Sequence, residues 1–154
     1  MNMKKNVLFL FVMLLGFQFS KAQMANPVKW TYSAKKVSDK IYDIYITAFL
    51  EDKWHIYAQE AGEGPEPTTF SFKSNPLLKL DGKVKEIGKL EKSFDANFNS
   101  TLKYYAKKVQ FVQRVKLKSS AATVFKGSVN YMVCNDSKCL PPKEVPFTVS
   151  LPGK

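Results

Sequence analysis

The sequence has few of the residues and segments on which several classes of protein depend. Its 154 residues include one histidine and two cysteines, and Arg114 is the only arginine. The main apolar run, from Val7 to Phe17, is far shorter than the ~20 residues that a helix needs to cross a bilayer. After this run no stretch keeps a helical period over three turns, and there is no internal repeat or low-complexity segment. These absences argue against a membrane-spanning, helical or repeat protein.

The positive charge also lacks the arrangement typical of nucleic-acid binding. The formal net charge is +11, but it is carried almost entirely by lysines that alternate with acids, as in "GKVKEIGKLEK". Nucleic-acid-binding proteins usually gather Lys and Arg on one face or carry a recognisable motif, and neither is present. We therefore expect a solvated, lysine-rich surface and no nucleic-acid partner.

The N-terminus has the form of a secretory signal peptide. Lys4 and Lys5 precede the short apolar run, and Ser20-Lys21-Ala22 provides a small-x-small cleavage site. We expect cleavage after Ala22, which separates a signal peptide at 1–22 from one domain at 23–154 and lowers the net charge to +8. No cysteine near this site could carry a lipid. The alternative is that the segment is retained as a membrane anchor.

The remainder of the chain alternates apolar and polar residues, which is the pattern of half-buried antiparallel strands. The predicted inward-facing residues are Val28, Trp30 and Tyr32; Tyr42, Ile44, Ile46, Ala48 and Leu50; Phe70 and Phe72; Val109, Phe111, Val115 and Leu117; Val129, Tyr131 and Val133; and Val145, Phe147, Val149 and Leu151. Several short strands of this kind predict an all-β, immunoglobulin-like antiparallel β-sandwich.

Turn signals separate most of these runs. They are "SDK" at 38–40, "EGPEPT" at 63–68, "KSNP" at 73–76 and "LDGK" at 80–83. Residues 91–106 are polar and aromatic without clear alternation, so we expect a long connection between strands there. Long ordered loops on a rigid sandwich often carry function.

Four residues separate the two cysteines, Cys134 and Cys139, in "MVCNDSKCLPP". A four-residue hairpin loop would place them on facing positions, ~4.5 to 5.5 Å apart at Cα, which a disulfide tolerates. A loop this short gives a disulfide at the low end of the ~2 to 4 kcal/mol range. A domain of this size does not need such a bond in order to fold. The local pattern therefore favours an exchangeable bond, and a passive disulfide stays open.

Beyond the pattern itself, "VNYMVCNDSKCLPPKEVPFTVSL" resembles the end of the N-terminal periplasmic domain of the DsbD-type thiol:disulfide interchange protein. Three further stretches are similar in order: "EDKWHIYAQ", "GPEPTTFSF" and "FDANFNSTLKYYAKKVQF". The resemblance implies a periplasmic immunoglobulin-like domain with thiol:disulfide interchange activity. Such a domain receives electrons from a thioredoxin-like partner and passes them to other exported thiol proteins, without a cofactor.

The resemblance also implies roles for particular residues. Cys139 matches the cysteine that forms mixed disulfides with partners, and Cys134 matches the resolving cysteine. Phe98 is the candidate for the aromatic cap over the sulfurs, and Asp95 is the nearby acid. His55 and Tyr57 match two tyrosines that lie near the cysteines. Because side chains alternate along a strand, both lie on one face.

Two departures from the family pattern bear on function. Well-known members have five residues between the cysteines, whereas this chain has four. The family's full-length protein continues into a membrane electron-relay domain and a thioredoxin-like domain, and this chain stops at Lys154. We expect a thioredoxin-like protein and a membrane electron-relay protein to act on it in trans.

Two alternatives remain at this stage. One is a non-catalytic immunoglobulin-like binding module whose disulfide only stabilises the hairpin. The other is a Cu(I) carrier, since Cys134, Cys139, Met132 and His55 form a soft donor set. No ligand spacing requires a metal, and we expect that no metal is bound.

Overall fold

The computed structural model describes residues 26–96 and 98–153, so the predicted signal peptide at 1–22 lies outside the described residues. Nine strands are present: β1 (Val28–Ser38), β2 (Ile41–Leu50), β3 (His55–Tyr57), β4 (Thr69–Phe72), β5 (Leu78–Asp95), β6 (Ser100–Leu117), β7 (Thr123–Tyr131), β8 (Val133–Cys134) and β9 (Lys143–Leu151). The described part of the chain contains no helix, and hence none that could cross a membrane.

The strands form two antiparallel sheets that pack face to face. The larger sheet has the order β1-β2-β6-β3-β8, with β5 on the other side of β6, and the smaller has the order β4-β7-β9. The core between them contains the predicted alternating residues, including Ile44, Ile46, Phe111 and Val129, which have no exposed surface. The all-β sandwich expected from the sequence is therefore confirmed.

Where the sequence predicted a long connection at 91–106, the prediction is wrong. β5 and β6 form an 18-residue by 18-residue hairpin, and only residues 96–99 connect them. Part of this hairpin extends beyond the core and exposes side chains on both faces, so its sequence carries no alternating pattern. Asn99 has a φ of 48°, a left-handed conformation that asparagine tolerates in tight turns.

The turn predicted at "LDGK" is also wrong. Residues 80–83 lie inside β5, and the register between β5 and β6 shifts between Asp81 and Lys85. Gly82 takes a φ of 76° at this irregularity. A β-bulge and a tight turn both favour a glycine at positive φ, so the sequence signal is the same for both.

The neighbourhood of the cysteines differs from a simple hairpin. β9 pairs with β7 in the smaller sheet, whereas β8 pairs with β3 in the larger one. The chain therefore passes at Met132 from β7 in the smaller sheet to β8 in the larger one. A single isolated bridge between Cys134 and Cys139 closes the loop between the cysteines. The disulfide consequently lies at the edge of the larger sheet, at the end of the sandwich.

Candidate functional site

The short strand β3 organises the site because it lies between β6 and β8. His55 pairs with Cys134 of β8, and Tyr57 pairs with Tyr104 of β6. Between them Ile56 points into the core and is fully buried. Since side chains alternate along a strand, His55 and Tyr57 lie on the outer face of the sheet together with Cys134.

Cys134 and Cys139 form a disulfide, with their Cα atoms 4.0 Å apart. This separation is shorter than the ~4.5 to 5.5 Å expected for facing strand residues. The backbone N–H of Leu140 donates to the carbonyl oxygen of Val133 at 2.9 Å and closes the turn around the pair. The bond thus joins the two ends of one short loop.

Asn135 orders the loop between the cysteines. Its Oδ1 accepts hydrogen bonds from the backbone N–H groups of Ser137 and Lys138, both at 2.9 Å. Its own N–H donates to the carbonyl oxygen of Lys138 at 2.9 Å. An asparagine side chain that bonds the backbone two and three residues ahead is a common way to stabilise a turn. The loop therefore has internal support in addition to the disulfide.

The two halves of the disulfide have very different exposure. Cys134 is 2% exposed and packs in a small apolar cluster with Tyr57, Ala61 and Leu102. Cys139 is exposed. A thiolate from outside would therefore meet the Cys139 side of the bond first.

An open cleft of about 410 Å³ contains all six site residues predicted from the sequence. The lining residues are His55, Tyr57, Ser93, Asp95, Phe98, Leu102, Tyr104, Cys134, Asn135, Asp136, Ser137, Lys138 and Cys139. Phe98 is 46% exposed on this wall, and its backbone N–H lies 3.4 Å from Oδ1 of Asp95. The sequence analysis assigned no role in the site to Ser93, Leu102, Tyr104, Asn135 or Ser137.

The surroundings of His55 and Tyr57 favour the uncharged forms of these two side chains. Burial lowers the pKa of His55, and the nearby carboxylates of Asp136 and Glu91 oppose this only in part. Burial also raises the pKa of Tyr57, and Asp95 and then Tyr104 add to the effect. The imidazole of His55 packs against the Tyr104 ring, with centroids 4.5 Å apart and the ring planes tilted by 42°. At neutral pH the site therefore presents an uncharged aromatic wall beside the disulfide.

Within the described residues, no group of three or more His, Cys, Asp and Glu side chains could hold a metal ion. The sulfurs of Cys134 and Cys139 are bonded to each other in this structure. Of the other proposed Cu(I) ligands, His55 lines the cleft and Met132 packs against the Cys134 cluster. In this oxidised state the two thiolates that such a site would need do not exist.

The fold and the site define a small antiparallel β-sandwich domain with one disulfide at the rim of an open cleft, and sequence comparison identifies its family. The sequence matches the family described as thiol:disulfide interchange protein DsbD, N-terminal, over residues 21–151. The chain belongs to this family. Comparison with curated protein sequences gives no match.

Solved structures show the same fold at low sequence identity. The DsbD N-terminal domain of Neisseria meningitidis in the reduced form is 18% identical, with 80% of this chain and 86% of that chain covered and a TM-score of 0.53. The DsbD N-terminal domain in complex with the PilB N-terminal domain, also from Neisseria meningitidis, is 15% identical, with coverage of 82% and 87% and a TM-score of 0.53.

A third similar structure is the N-terminal periplasmic domain of ScsB from Proteus mirabilis. It is 15% identical and has a TM-score of 0.52, and the alignment covers 84% of this chain but 51% of that chain. At these identities the likeness concerns the fold. The immunoglobulin-like antiparallel sandwich predicted from the strand pattern is confirmed.

Proposed function

We propose that this protein is a thiol–disulfide exchange module that relays electrons through Cys134 and Cys139. The observation that carries this proposal is the unequal exposure of the two cysteines, with Cys134 buried at 2% and Cys139 exposed beside an open cleft. Exchange requires a thiolate to reach one sulfur in line with the S–S bond, and the other sulfur leaves. A site with one accessible sulfur restricts attack to that position.

In the first half-reaction, a partner thiolate attacks Sγ of Cys139 and expels Cys134 as a thiolate. The partner's second thiolate then attacks the partner sulfur of the mixed disulfide and releases Cys139. The partner has become a disulfide, and the two electrons reside on the Cys134–Cys139 dithiol. No cofactor is needed because all electrons stay on sulfur.

In the second half-reaction, the Cys139 thiolate attacks a client disulfide and forms a mixed disulfide with it. Cys134 then attacks Sγ of Cys139, expels the client thiolate and restores the starting bond. Lys138 next to Cys139 favours the thiolate needed for the first of these attacks. Cys134 lies beneath Cys139 at the base of the loop, in position for the second.

Phe98 and Asp95 have the role of a cap in this proposal. Both line the cleft that contains the cysteines, Asp95 at the end of β5 and Phe98 on the turn to β6. His55 and Tyr57 form the neutral wall beside Cys134, against which a partner would pack. Because Phe98 is at the tip of a hairpin and half exposed, it can move aside when a partner docks.

The proposed partners are a thioredoxin-like protein and a membrane electron-relay protein. The support is family membership, together with a similar structure in which a DsbD N-terminal domain is in complex with the PilB N-terminal domain. The proposed location is the periplasm, after removal of residues 1–22. A related structure is named as a periplasmic domain.

The experiment is a pair of matched single-cysteine variants. Cys134→Ala and Cys139→Ala are each incubated with a thioredoxin-like protein whose own resolving cysteine is replaced, in glutathione buffers whose oxidised glutathione takes up the two electrons released as a mixed disulfide forms. Adducts are separated on non-reducing gels and identified by mass spectrometry. We expect a reductant-sensitive adduct at Cys139 in Cys134→Ala and little adduct in Cys139→Ala. The absence of any Cys139 adduct across glutathione redox buffers overturns the proposal.

The reduction potential separates this function from that of a binding module with a structural disulfide. Structural bonds in exported proteins have potentials below about −300 mV, whereas labile ones are higher. We expect a value clearly above that limit in glutathione equilibrium. A lower value would favour the binding module.

A further inference from the structure

The segment after β3 runs along the start of β6, directly behind the turn that carries Phe98. Backbone hydrogen bonds join it there: Ala58 N–H donates to the Lys103 carbonyl at 3.0 Å, and Lys103 N–H donates to the Ala61 carbonyl at 2.8 Å. Beyond this ladder, the N–H of Glu63 donates to Oγ of Ser100 at 3.0 Å. The segment thus has a defined position relative to the wall of the cleft.

Gly64 lies at the end of this segment, in contact with Phe98. A Cβ atom added at Gly64 would be 2.2 Å from Cδ1, 2.4 Å from Cγ and 2.9 Å from Cβ of Phe98. Carbon atoms at these separations overlap. The third distance matters most, because rotating the ring about χ1 does not move Cβ of Phe98. Any side chain at this position would therefore push the turn of Phe98 away.

Gly64 also has a φ of 119°, a conformation that residues with a side chain rarely adopt. Two independent features therefore require glycine here, and one of them is the position of Phe98. Phe98 is 46% exposed, and its backbone N–H lies 3.4 Å from the Asp95 carboxylate. The contact with Gly64 is a steric constraint on the position of its ring.

We propose that Gly64 is a positioning residue that seats Phe98 at the mouth of the cleft and thereby sets how readily a reductant reaches the Cys134–Cys139 bond. This deepens the proposed exchange function and rests on it for biological meaning. The physical claim is narrower: the contact between Gly64 and Phe98 controls access to the disulfide. With this contact intact, Phe98 lines the cleft, and a side chain at 64 displaces it from that position.

The test uses tris(2-carboxyethyl)phosphine, a small reductant that needs no protein partner. The phosphine takes up oxygen from water as the two sulfurs become thiols, so the rate constant reports access to the bond. We expect Gly64→Ala to raise this rate constant about 5- to 10-fold, and Phe98→Ala to raise it by a similar factor. Gly64→Ala in the Phe98→Ala background should add less than 2-fold, because the displaced ring is already absent.

Gly82→Ala is the matched control for backbone strain. Gly82 also has a positive φ of 76°, but a Cβ atom there meets nothing within 4 Å and the residue is not among those lining the cysteine cleft. The rate constant for phosphine reduction of Gly82→Ala should equal that of the wild type. An unchanged rate in folded Gly64→Ala overturns the proposal, and so does an equal acceleration by Gly64→Ala with and without Phe98.

The contact itself is testable without any substitution, in case Gly64→Ala does not fold. In the oxidised wild-type protein, nuclear Overhauser effects should connect the Hα protons of Gly64 to the ring protons of Phe98. Their absence overturns the proposal. Failure of the exchange function is a separate result, since it would appear as no adduct with a thioredoxin-like protein while phosphine rates still respond to Gly64 and Phe98.

Discussion

His55 lies directly opposite Cys134 in the ladder between β3 and β8, and its imidazole packs against the ring of Tyr104 at a centroid distance of 4.5 Å. The only histidine of the chain is thus part of the wall beside the buried cysteine. Burial there disfavours the charged imidazolium, and the pKa of His55 is lowered. This relationship connects the stability of the site to pH.

We expect the free energy of unfolding to decrease as pH falls from about 7 through the lowered pKa of His55. The unfolded chain, with an ordinary histidine pKa of about 6.5, takes up a proton at a higher pH than the folded chain does. Protons therefore favour unfolding in this window, and the loss is absent above it. Asp136 and Glu91 act in the opposite direction and reduce the slope.

Urea unfolding between pH 5 and pH 8 measures this dependence, with His55→Phe as the reference. The other groups with displaced pKa values titrate elsewhere: that of Asp43 is lowered by Arg114, and those of the tyrosines are raised. The phenyl variant keeps an aromatic ring against Tyr104 and should show a flatter profile. Equal slopes in the two proteins would contradict the assignment to His55.

Removing the disulfide should cost little stability. Its loop spans a sequence separation of 5, and the chain-entropy relation gives about 2 kcal/mol for a loop of this size. We expect Cys134→Ala/Cys139→Ala to stay folded and to lose about that amount in denaturant unfolding. A loss above about 4 kcal/mol, or an unfolded double variant, would assign the bond a structural role.

The sandwich was predictable because its core strands alternate in sequence. Phe111 and Val115 lie in the core as expected, and the polar side chain of Gln113, at the alternating position between them, is buried as well. The side-chain amide of Gln113 donates to the carbonyl oxygens of Arg114 at 2.7 Å and Gly82 at 3.2 Å. A buried amide with backbone acceptors is compatible with a core, but the acceptor on β5 is distant in sequence and leaves no local signal.

The site was predictable as a set of residues and less so as an arrangement. The family resemblance placed His55, Phe98 and Cys139 near one another, and all three line one cleft. The two-residue strand β8 and its pairing with β3 have no sequence signature, because two residues carry no period. The contact between Gly64 and Phe98 was equally hidden, since glycines in "AGEGPEP" predict only a turn.

Glu86 should be important for holding the edge strand β5 to the rest of the sheet. Its carboxylate accepts hydrogen bonds from the Gln59 N–H and the Tyr105 hydroxyl, both at 2.7 Å. Glu86→Ala leaves both donors without this partner, so we expect a loss of about 1 to 3 kcal/mol. Thermal and urea unfolding measure it, with the exposed Glu60→Ala as control. Losses of equal size in both variants would show that the carboxylate contacts contribute nothing specific.

Asn135 should favour the oxidised form of the cysteine pair. Its Oδ1 accepts hydrogen bonds from Ser137 and Lys138, and these bonds restrict the loop whether or not the disulfide is present. In Asn135→Ala the reduced loop gains freedom, and closing the bond again costs more entropy. A net loss of about 1 kcal/mol for such hydrogen bonds corresponds to a roughly fivefold smaller equilibrium constant for oxidation by glutathione.

Alkylation of free thiols followed by mass spectrometry in glutathione buffers gives this constant directly. Asn135→Asp retains the accepting oxygen, so its equilibrium should stay closer to that of the wild type than to that of Asn135→Ala. If the alanine variant matches the wild type, the turn is held by its backbone bonds alone, such as Leu140 N–H to the Val133 carbonyl. In that case the side chain of Asn135 would have no part in setting how easily the pair is reduced.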